Sequence, residues 1–322
     1  MVSNMLPDAP HPERGSFVRD QVSALRGLED VEVELFEFPP GPRALAGAAL
    51  ELRRRYGGPS TFSRRPSSPP LDVVHAHFGL TAWATLGVAA RVRGLTVHGT
   101  DLSHPRTRLA TAAVLPAIDL LGAVSASLVS ELPGAAARRR ARVLPCGVDL
   151  ARFGVMPRAR ARGELGLDPD RPCLLFAADP ARPEKGYERA AALARDAGVE
   201  LLALGGVQPA RVPLWINAAN AVLVPSEREG FGLAVLEALA CDVPVLATPV
   251  GIHREALADV PGTLCAPFEI AGWRAALEPH LAARDPRVTG RASAMRFSAE
   301  AMAERVRDAW SQTLEQSGQR SG

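Results

Sequence analysis

The sequence predicts an α/β protein of two domains, each a doubly wound parallel sheet covered by helices, with a cleft where the domains face each other. Three observations carry this expectation. Short apolar runs rich in Val, Leu and Ala alternate with amphipathic segments at helical spacing, and buried parallel strands read as such continuous runs. At 322 residues the chain exceeds one ordinary core and fits two of roughly 150 residues each. Its composition also breaks over DLARFGVMPRARARGELGLDPDRP, Asp149–Pro172, a polar, Arg-rich stretch interrupted by prolines, the kind of segment where domains part.

The expected domains are 1–155, 156–297, and a C-terminal helix and tail over 298–322. In the first half the strand candidates are Val31–Phe36, Val73–Ala76, Leu95–His98, Ala123–Ser125 and Arg142–Leu144. The second half offers Cys173–Ala177, Glu200–Leu204, Ala221–Val224, Val243–Ala247 and Gly262–Cys265. GGPSTFSRRPSSPP, Gly57–Pro70, is rich in turn residues and reads as a surface loop or lid. The last helix candidate, Ser298–Gln316, aligns Met302, Val306, Ala309, Trp310 and Leu314 on one stripe, which needs a partner surface.

Composition narrows the classes of function. A net charge of +2 lacks the basic footprint of a nucleic-acid binder. Cys146, Cys173, Cys241 and Cys265 form no CxxC pair and no metal-ligand spacing, so they read as buried thiols in a reducing compartment. The N-terminal MVSNMLPDAP has no basic segment leading into a long apolar run, unlike a signal peptide. Leu109–Val129 is weakly polar, but Pro116 and Asp119 divide it into a helix and a strand, too interrupted for a membrane span. The expected location is the cytoplasm, with peripheral contact at the inner face of the membrane left open.

One count stands out. Of the 37 basic residues only Lys185 is a lysine, so the other 36 (37 − 1) are arginines. Arg and Lys are interchangeable on a solvated face but not where a compact ammonium is needed. Lys185 is therefore a candidate site residue. It lies in LLFAADPARPEKG, a strand running into a loop that also holds Arg182, with a helix from about Gly186. Two cations at the C-terminal edge of a parallel strand can hold a diphosphate without a divalent metal.

A parallel arrangement appears in VLVPSEREGFGLAVLEALACD, where a strand runs into a loop and a helix begins near Gly232. Ligands bind at that sheet edge, and a helix N-terminus offers unpaired N–H groups to an anion. Gly230 and Gly232 let the backbone approach closely. Glu229 and Glu237 are eight residues apart, at most about 12 Å if fully helical. That span suits an extended ligand with hydroxyls at both ends and is too long for a carboxylate pair sharing a proton. His75 and His77 fall on one face of a strand; no Cys or carboxylate follows at ligand spacing, so no metal site is expected.

EGFGLAVLE is an E-x7-E motif, and with CDVPVLATPVGIHREAL after it and RPEKG before it the chain resembles the retaining glycosyltransferases of the GT-B fold, in particular glycosyltransferase family 4 (the group 1 type). The likeness spans essentially the whole chain. It implies two Rossmann-like domains, the first binding an acceptor and the second a nucleoside diphosphate sugar. It also implies that Glu229 contacts the donor sugar, Glu237 the ribose, and Arg182 and Lys185 the diphosphate, with Gly230, Phe231 and Gly232 lining the donor. The family commonly has its Arg about five residues before the Lys; here Pro180 stands there and Arg182 is three before. NMLPDAPHPERGSFVRDQVSALR resembles the family's opening strand and loop, which implies a short strand from Val2 and places Gly15 and Ser16 at a helix N-terminus that faces the cleft. VHGTDL resembles the segment whose histidine, here His98, lies near the reactive carbon. LPCGVDLARF resembles the turn into the linker, where Asp149 reads as a turn former.

The reading that follows is a hexosyltransferase using a UDP- or GDP-sugar, with neither metal nor other cofactor, in glycan, polysaccharide or glycolipid synthesis. Its acceptor is a sugar, a lipid-linked molecule or another small molecule. Two alternatives are a GT-B nucleotide-sugar epimerase and a non-catalytic nucleotide-sugar binder. A nicotinamide dehydrogenase fits less well, because Val235 occupies the third glycine position of GxGxxG.

Overall fold

A computed structural model describes residues 1–57 and 71–321, with side chains through 319. The loop expected over Gly57–Pro70 lies, Gly57 apart, outside the described residues. Contacts divide the chain into two units. One comprises residues 1–8, 14–146 and 300–322, the other 9–13 and 147–299.

The first unit holds a six-stranded, wholly parallel sheet. Its strands are β1 (Val2–Ser3), β2 (Phe36–Glu37), β3 (Leu71–His77), β4 (Ala90–Val97), β5 (Leu120–Ala123) and β6 (Arg142–Val143), in spatial order β2-β1-β3-β4-β5-β6. The chain first steps from β1 outward to β2, then returns to the other side of β1 to lay down β3. This reversal is a topological switch point, where the loops after β1 and β3 diverge and leave a crevice at the strands' C-terminal ends.

Alternation along β3 sends successive residues to opposite faces. Val74 joins a cluster with Val2, Phe38, Ala48 and Leu52 beneath the helix Pro42–Tyr56. Val73 joins the other, built on Val22, Leu25, Val92 and Leu120 with Ala303, Val306, Ala309 and Trp310. The last four belong to the C-terminal helix, Ala299–Ser321, so its apolar stripe covers one face of this sheet. The helix starts one residue later than expected and runs beyond Gln316.

The second unit holds five parallel strands: β7 (Cys173–Phe176), β8 (Glu200–Ala203), β9 (Ala221–Val224), β10 (Val245–Ala247) and β11 (Leu264–Cys265). Their order is β11-β10-β9-β7-β8, which puts the switch point between β7 and β9. Leu174, Phe176 and Leu223 pack under the helices Tyr187–Ala197 and Ile270–Ala282 through Leu193, Ala194, Trp273 and Leu277. Arg162, fully buried, donates to the carbonyls of Asp168, Pro169, Arg171 and Ala218. A planar fork of five donors can tie that many loop carbonyls at once.

The observed strands differ from expectation in instructive places. Of Val31–Phe36 only Phe36 is in a strand, because β2 is an edge whose sole neighbour, β1, pairs Val2 with Phe36 and Ser3 with Glu37. The strand expected at Leu95–His98 begins at Ala90, since β3 pairs with it from Leu71↔Ala90 onward despite Arg91 and Arg93. The strand expected at Ala123–Ser125 is instead Leu120–Ala123, and Ser125 caps the next helix by accepting from Leu128 N–H. Val243 and Gly262 lie outside β10 and β11. Contacts place the break between the units at Cys146/Gly147 and Ala299/Glu300, where the sequence reading put it at 155/156 and 297/298. Among the described residues no helix is long and apolar enough to cross a membrane.

Candidate functional site

In the second unit the loops after β7, β9 and β10 leave the same sheet edge from adjacent strands. The β7 loop ends in a 3-10 turn, Pro183–Lys185, followed by Gly186 at φ 76°. A side chain there would be strained by its left-handed backbone, and its Cβ would lie 2.5 Å from the Pro225 carbonyl oxygen. This close approach brings the two loops together. Lys185 Nζ donates to Glu229 Oε1 and Oε2, each at 2.7 Å, with the two side chains only 16% and 9% exposed.

Glu229 is held from behind as well. Ser226 Oγ donates to Glu229 Oε1 at 2.7 Å, and Thr248 Oγ1 donates to the Ser226 carbonyl at 2.5 Å. His253 Nδ1 lies 2.8 Å from the Thr248 carbonyl, so Nδ1 carries the proton and Nε2 is left an acceptor, fully buried and without a partner. Burial lowers the basicity of that ring. Gly232 precedes the helix Leu233–Ala240 at φ 110°, with no side-chain cap, and a Cβ there would run into His253 Nε2. The helix thus presents bare N–H groups beside a buried carboxylate–ammonium pair, an arrangement suited to an anionic ligand with hydroxyls attached.

The remaining sequence candidates occupy varied places. Glu237 is half-buried in the second turn of the helix Leu233–Ala240. Gly230 is half-buried, and Phe231 is buried with its carbonyl accepting from Ile252 N–H at 2.8 Å. Arg182 does not join Lys185 and Glu229. It is 51% exposed, and its Nε and Nη2 donate to Glu184 Oε1 at 3.0 and 2.8 Å.

In the first unit Gly15 precedes the helix Ser16–Arg26 in the loop after β1, and its carbonyl accepts from Val18 and Arg19 N–H. His98 follows β4 directly. Its backbone N–H donates to Asp101 Oδ2 at 2.6 Å, while Asp101 Oδ1 accepts from Gly79 N–H at 2.5 Å. Burial pushes the Asp101 carboxyl up to about 6 against the lowering effect of these N–H groups. The His98 ring packs between Phe17 and Phe78, at centroid distances of 4.9 and 4.7 Å, and its Nε2 lies 2.9 Å from His77 Nδ1. Burial holds His98 down to about 3, so the ring is neutral at ordinary pH.

His75 meets Thr96 and Trp310, His77 meets His98, and among the described residues no three His, Cys, Asp or Glu side chains are grouped to hold an ion. Asp149 Oδ1 accepts from Ala151 and Arg152 N–H, a turn contact. Sequence reasoning missed Ser226, Thr248, His253, Phe78 and Asp101, and weighed His77 only as a metal ligand beside His75. Only Ser226, three residues before Glu229 and at the same strand end, left a usable signal.

The family model described as Glycosyltransferase Family 4 matches residues 15–152, and that described as Glycosyl transferases group 1 matches 168–309. A D-inositol 3-phosphate glycosyltransferase of Actinosynnema mirum is 32% identical, over 80% of this chain and 81% of that protein. One of Segniliparus rotundus is 32% identical over 72% and 64%. Sucrose-phosphate synthase from Thermosynechococcus elongatus superposes with a TM-score of 0.68 at 18% identity, covering 97% of this chain and 98% of the other. Anabaena HepE in complex with UDP and glucose does so with 0.69 at 16%, with the same coverage. At such identities the structural likeness is one of fold.

Proposed function

This chain belongs to glycosyltransferase family 4, the group 1 glycosyltransferases of the GT-B fold, and we propose that it moves a hexose-type sugar from a UDP- or GDP-sugar to an acceptor hydroxyl, with retention at the anomeric carbon and without a divalent metal. The observation that carries this reading is the Lys185–Glu229 pair beside the uncapped helix at the β7/β9 switch point. An ammonium has three N–H donors. Two are spent on Glu229, and the third is left for a phosphate oxygen.

In this reading the second unit binds the donor and the first the acceptor. Lys185 and the helix N-terminus stabilise the diphosphate as it leaves, Glu229 accepts from hydroxyls of the sugar, and Glu237 accepts from the ribose diol. Arg182 reaches the diphosphate by leaving Glu184, a change of small cost because an exposed ion pair is worth at most about 1 kcal/mol. His98 contacts the sugar near its reactive carbon, and Gly15 and Ser16 present N–H groups to substrate. The departing phosphate takes the acceptor's proton while the sugar passes through an oxocarbenium-like state on the same face. UDP and glucose bound to HepE, a protein of the same fold, support the donor class. The relatives' named acceptor, D-inositol 3-phosphate, heads the list of acceptors to assay. The reaction is placed in the cytoplasm or at the inner face of the membrane.

The test is a thermal-shift screen of nucleotide sugars in EDTA, followed by product analysis with acceptor. A donor at a hundred times its dissociation constant adds about 2.7 kcal/mol of stability. Binding that needs added magnesium overturns the metal-free reading. Free nucleotide with an epimerised sugar and no transfer product favours the epimerase, and binding without turnover favours a non-catalytic protein.

A further inference from the structure

Behind His98 the first unit contains a ladder of buried histidines whose proton positions can be deduced. An indole N–H can only donate. Trp310 Nε1 lies 2.9 Å from His75 Nδ1, so Nδ1 is the acceptor and the His75 proton sits on Nε2. From there it is donated to Thr96 Oγ1 at 2.8 Å.

His77, next on the same face of β3, is fully buried, and its Nδ1 meets His98 Nε2. Its own Nε2 has no partner. One proton must lie between His77 Nδ1 and His98 Nε2, and two arrangements supply it. If His98 donates, His77 carries its proton on Nε2, as a buried N–H with nothing to receive it. If His77 donates, the orphan is a lone pair. Orphaned buried N–H groups are the rarer of the two kinds of unpaired polar group. The second arrangement also determines His98. With its Nε2 lone pair occupied, a neutral His98 carries its proton on Nδ1, the ring nitrogen that neither His77 nor the main-chain contact to Asp101 engages.

We propose that His77 is a positioning residue that fixes His98 in the neutral Nδ1–H tautomer, so that His98 offers its substrate a hydrogen-bond donor and no base. The burial that lowers both rings' basicity agrees with this pairing of neutral rings. The inference rests on the reading that His98 touches the donor sugar. It deepens that reading: a histidine whose only lone pair is taken cannot accept the acceptor's proton, which leaves that proton to the departing phosphate.

The experiment has two arms. The first records long-range 15N spectra of the whole protein labelled in histidine, with His98 assigned by its loss in His98→Gln. The expected pattern is a protonated Nδ1 and bare Nε2 on His98 in the parent, lost in His77→Leu and kept in His77→Asn, whose amide nitrogen takes the place of Nδ1 and can still donate. A parent His98 protonated on Nε2 overturns the proposal. This arm needs no turnover, so it reads the tautomer even if no donor sugar is found. The second arm measures kcat with the nucleotide sugar and affinity for free UDP, which lacks the sugar. His77→Leu is expected to lower kcat at least tenfold with UDP affinity within twofold, to lose that effect in a His98→Ala background, and to be rescued by His77→Asn to within threefold. A kcat loss that persists in the His98→Ala background, or no loss in folded His77→Leu, overturns the positioning role.

Discussion

Lys185 Nζ sits 2.7 Å from both carboxylate oxygens of Glu229, joining loops that leave adjacent parallel strands, and it is the chain's only lysine. A guanidinium would keep the charge and lose the geometry, because the donors left after it pairs with the carboxylate stay in the plane of its rigid fork and cannot turn to where the ammonium's third N–H points. Lys185→Arg is therefore expected to fold like the parent and to lose about 10²–10³ in turnover, the usual cost of removing one preorganised contact to developing charge. Steady-state kinetics beside a melting curve check it. Turnover within about threefold of the parent would make the lone lysine an accident of composition.

Glu237→Ala is expected to weaken binding of free UDP or GDP by about 1.5–3 kcal/mol, the range for a hydrogen bond to a charged group. Calorimetric titration reads this directly. Unchanged nucleotide affinity would show that the ribose is held elsewhere.

Phe78 is one of two non-glycine residues with positive φ among those described, at φ 74° and ψ 141°, a conformation nearly confined to glycine that costs about 1–3 kcal/mol. Its ring lies against His98, so strain is stored where the reactive carbon is proposed to lie. Phe78→Gly is expected to be more stable than Phe78→Ala, reversing the ordinary preference for Ala, while both lose activity. Urea unfolding of the pair tests this, and an Ala variant equal to or more stable than Gly refutes it.

Stability should fall with acid in a definite window. His75 and His98 are held down to about 3 and His77 is well below 6.5, all by burial. Between about 6.5 and 3 the unfolded chain takes up protons these folded rings refuse. Their stabilisation is thus complete above 6.5 and is lost as pH falls toward 3. Asp101, raised to about 6 by burial, acts oppositely: its contribution is present below about 3.8 and lost as pH rises through 6. Three rings outweigh one carboxyl. His75→Gln, which can still accept from Trp310 and donate to Thr96, should reduce the slope of unfolding free energy near pH 5 by about 1.4 kcal/mol per pH unit, one proton's worth. Urea midpoints at pH 7 and 5 measure it, and an unchanged slope would mean that His75 titrates normally.

Trp310→Phe keeps an aromatic ring on the C-terminal helix but removes the N–H that His75 Nδ1 accepts from. Leaving a buried acceptor unpaired costs about 1–3 kcal/mol, read as a lower urea midpoint. No change would mean that packing alone holds the helix.

The sequence by itself determined whatever depends on local spacing. The strand–loop–helix units around Lys185 and around Glu229 were legible because apolar runs, a glycine and an amphipathic stretch follow one another within some twenty residues, and the C-terminal helix showed its stripe for the same reason. The extent of β4 and the brevity of β2 were not legible. A strand's length depends on its neighbour's, and β3 and β1 are distant in sequence. The same reason hid the site's supports. Lys185 and Glu229 are 44 residues apart, His77 and His98 are 21, and Trp310 lies 235 beyond His75. Each pair meets only because a parallel sheet brings the ends of successive strands to one edge, or because a terminal helix packs across a face. Which nitrogen of a histidine carries the proton is decided by the donor or acceptor placed opposite it, and that partner is chosen by the tertiary fold.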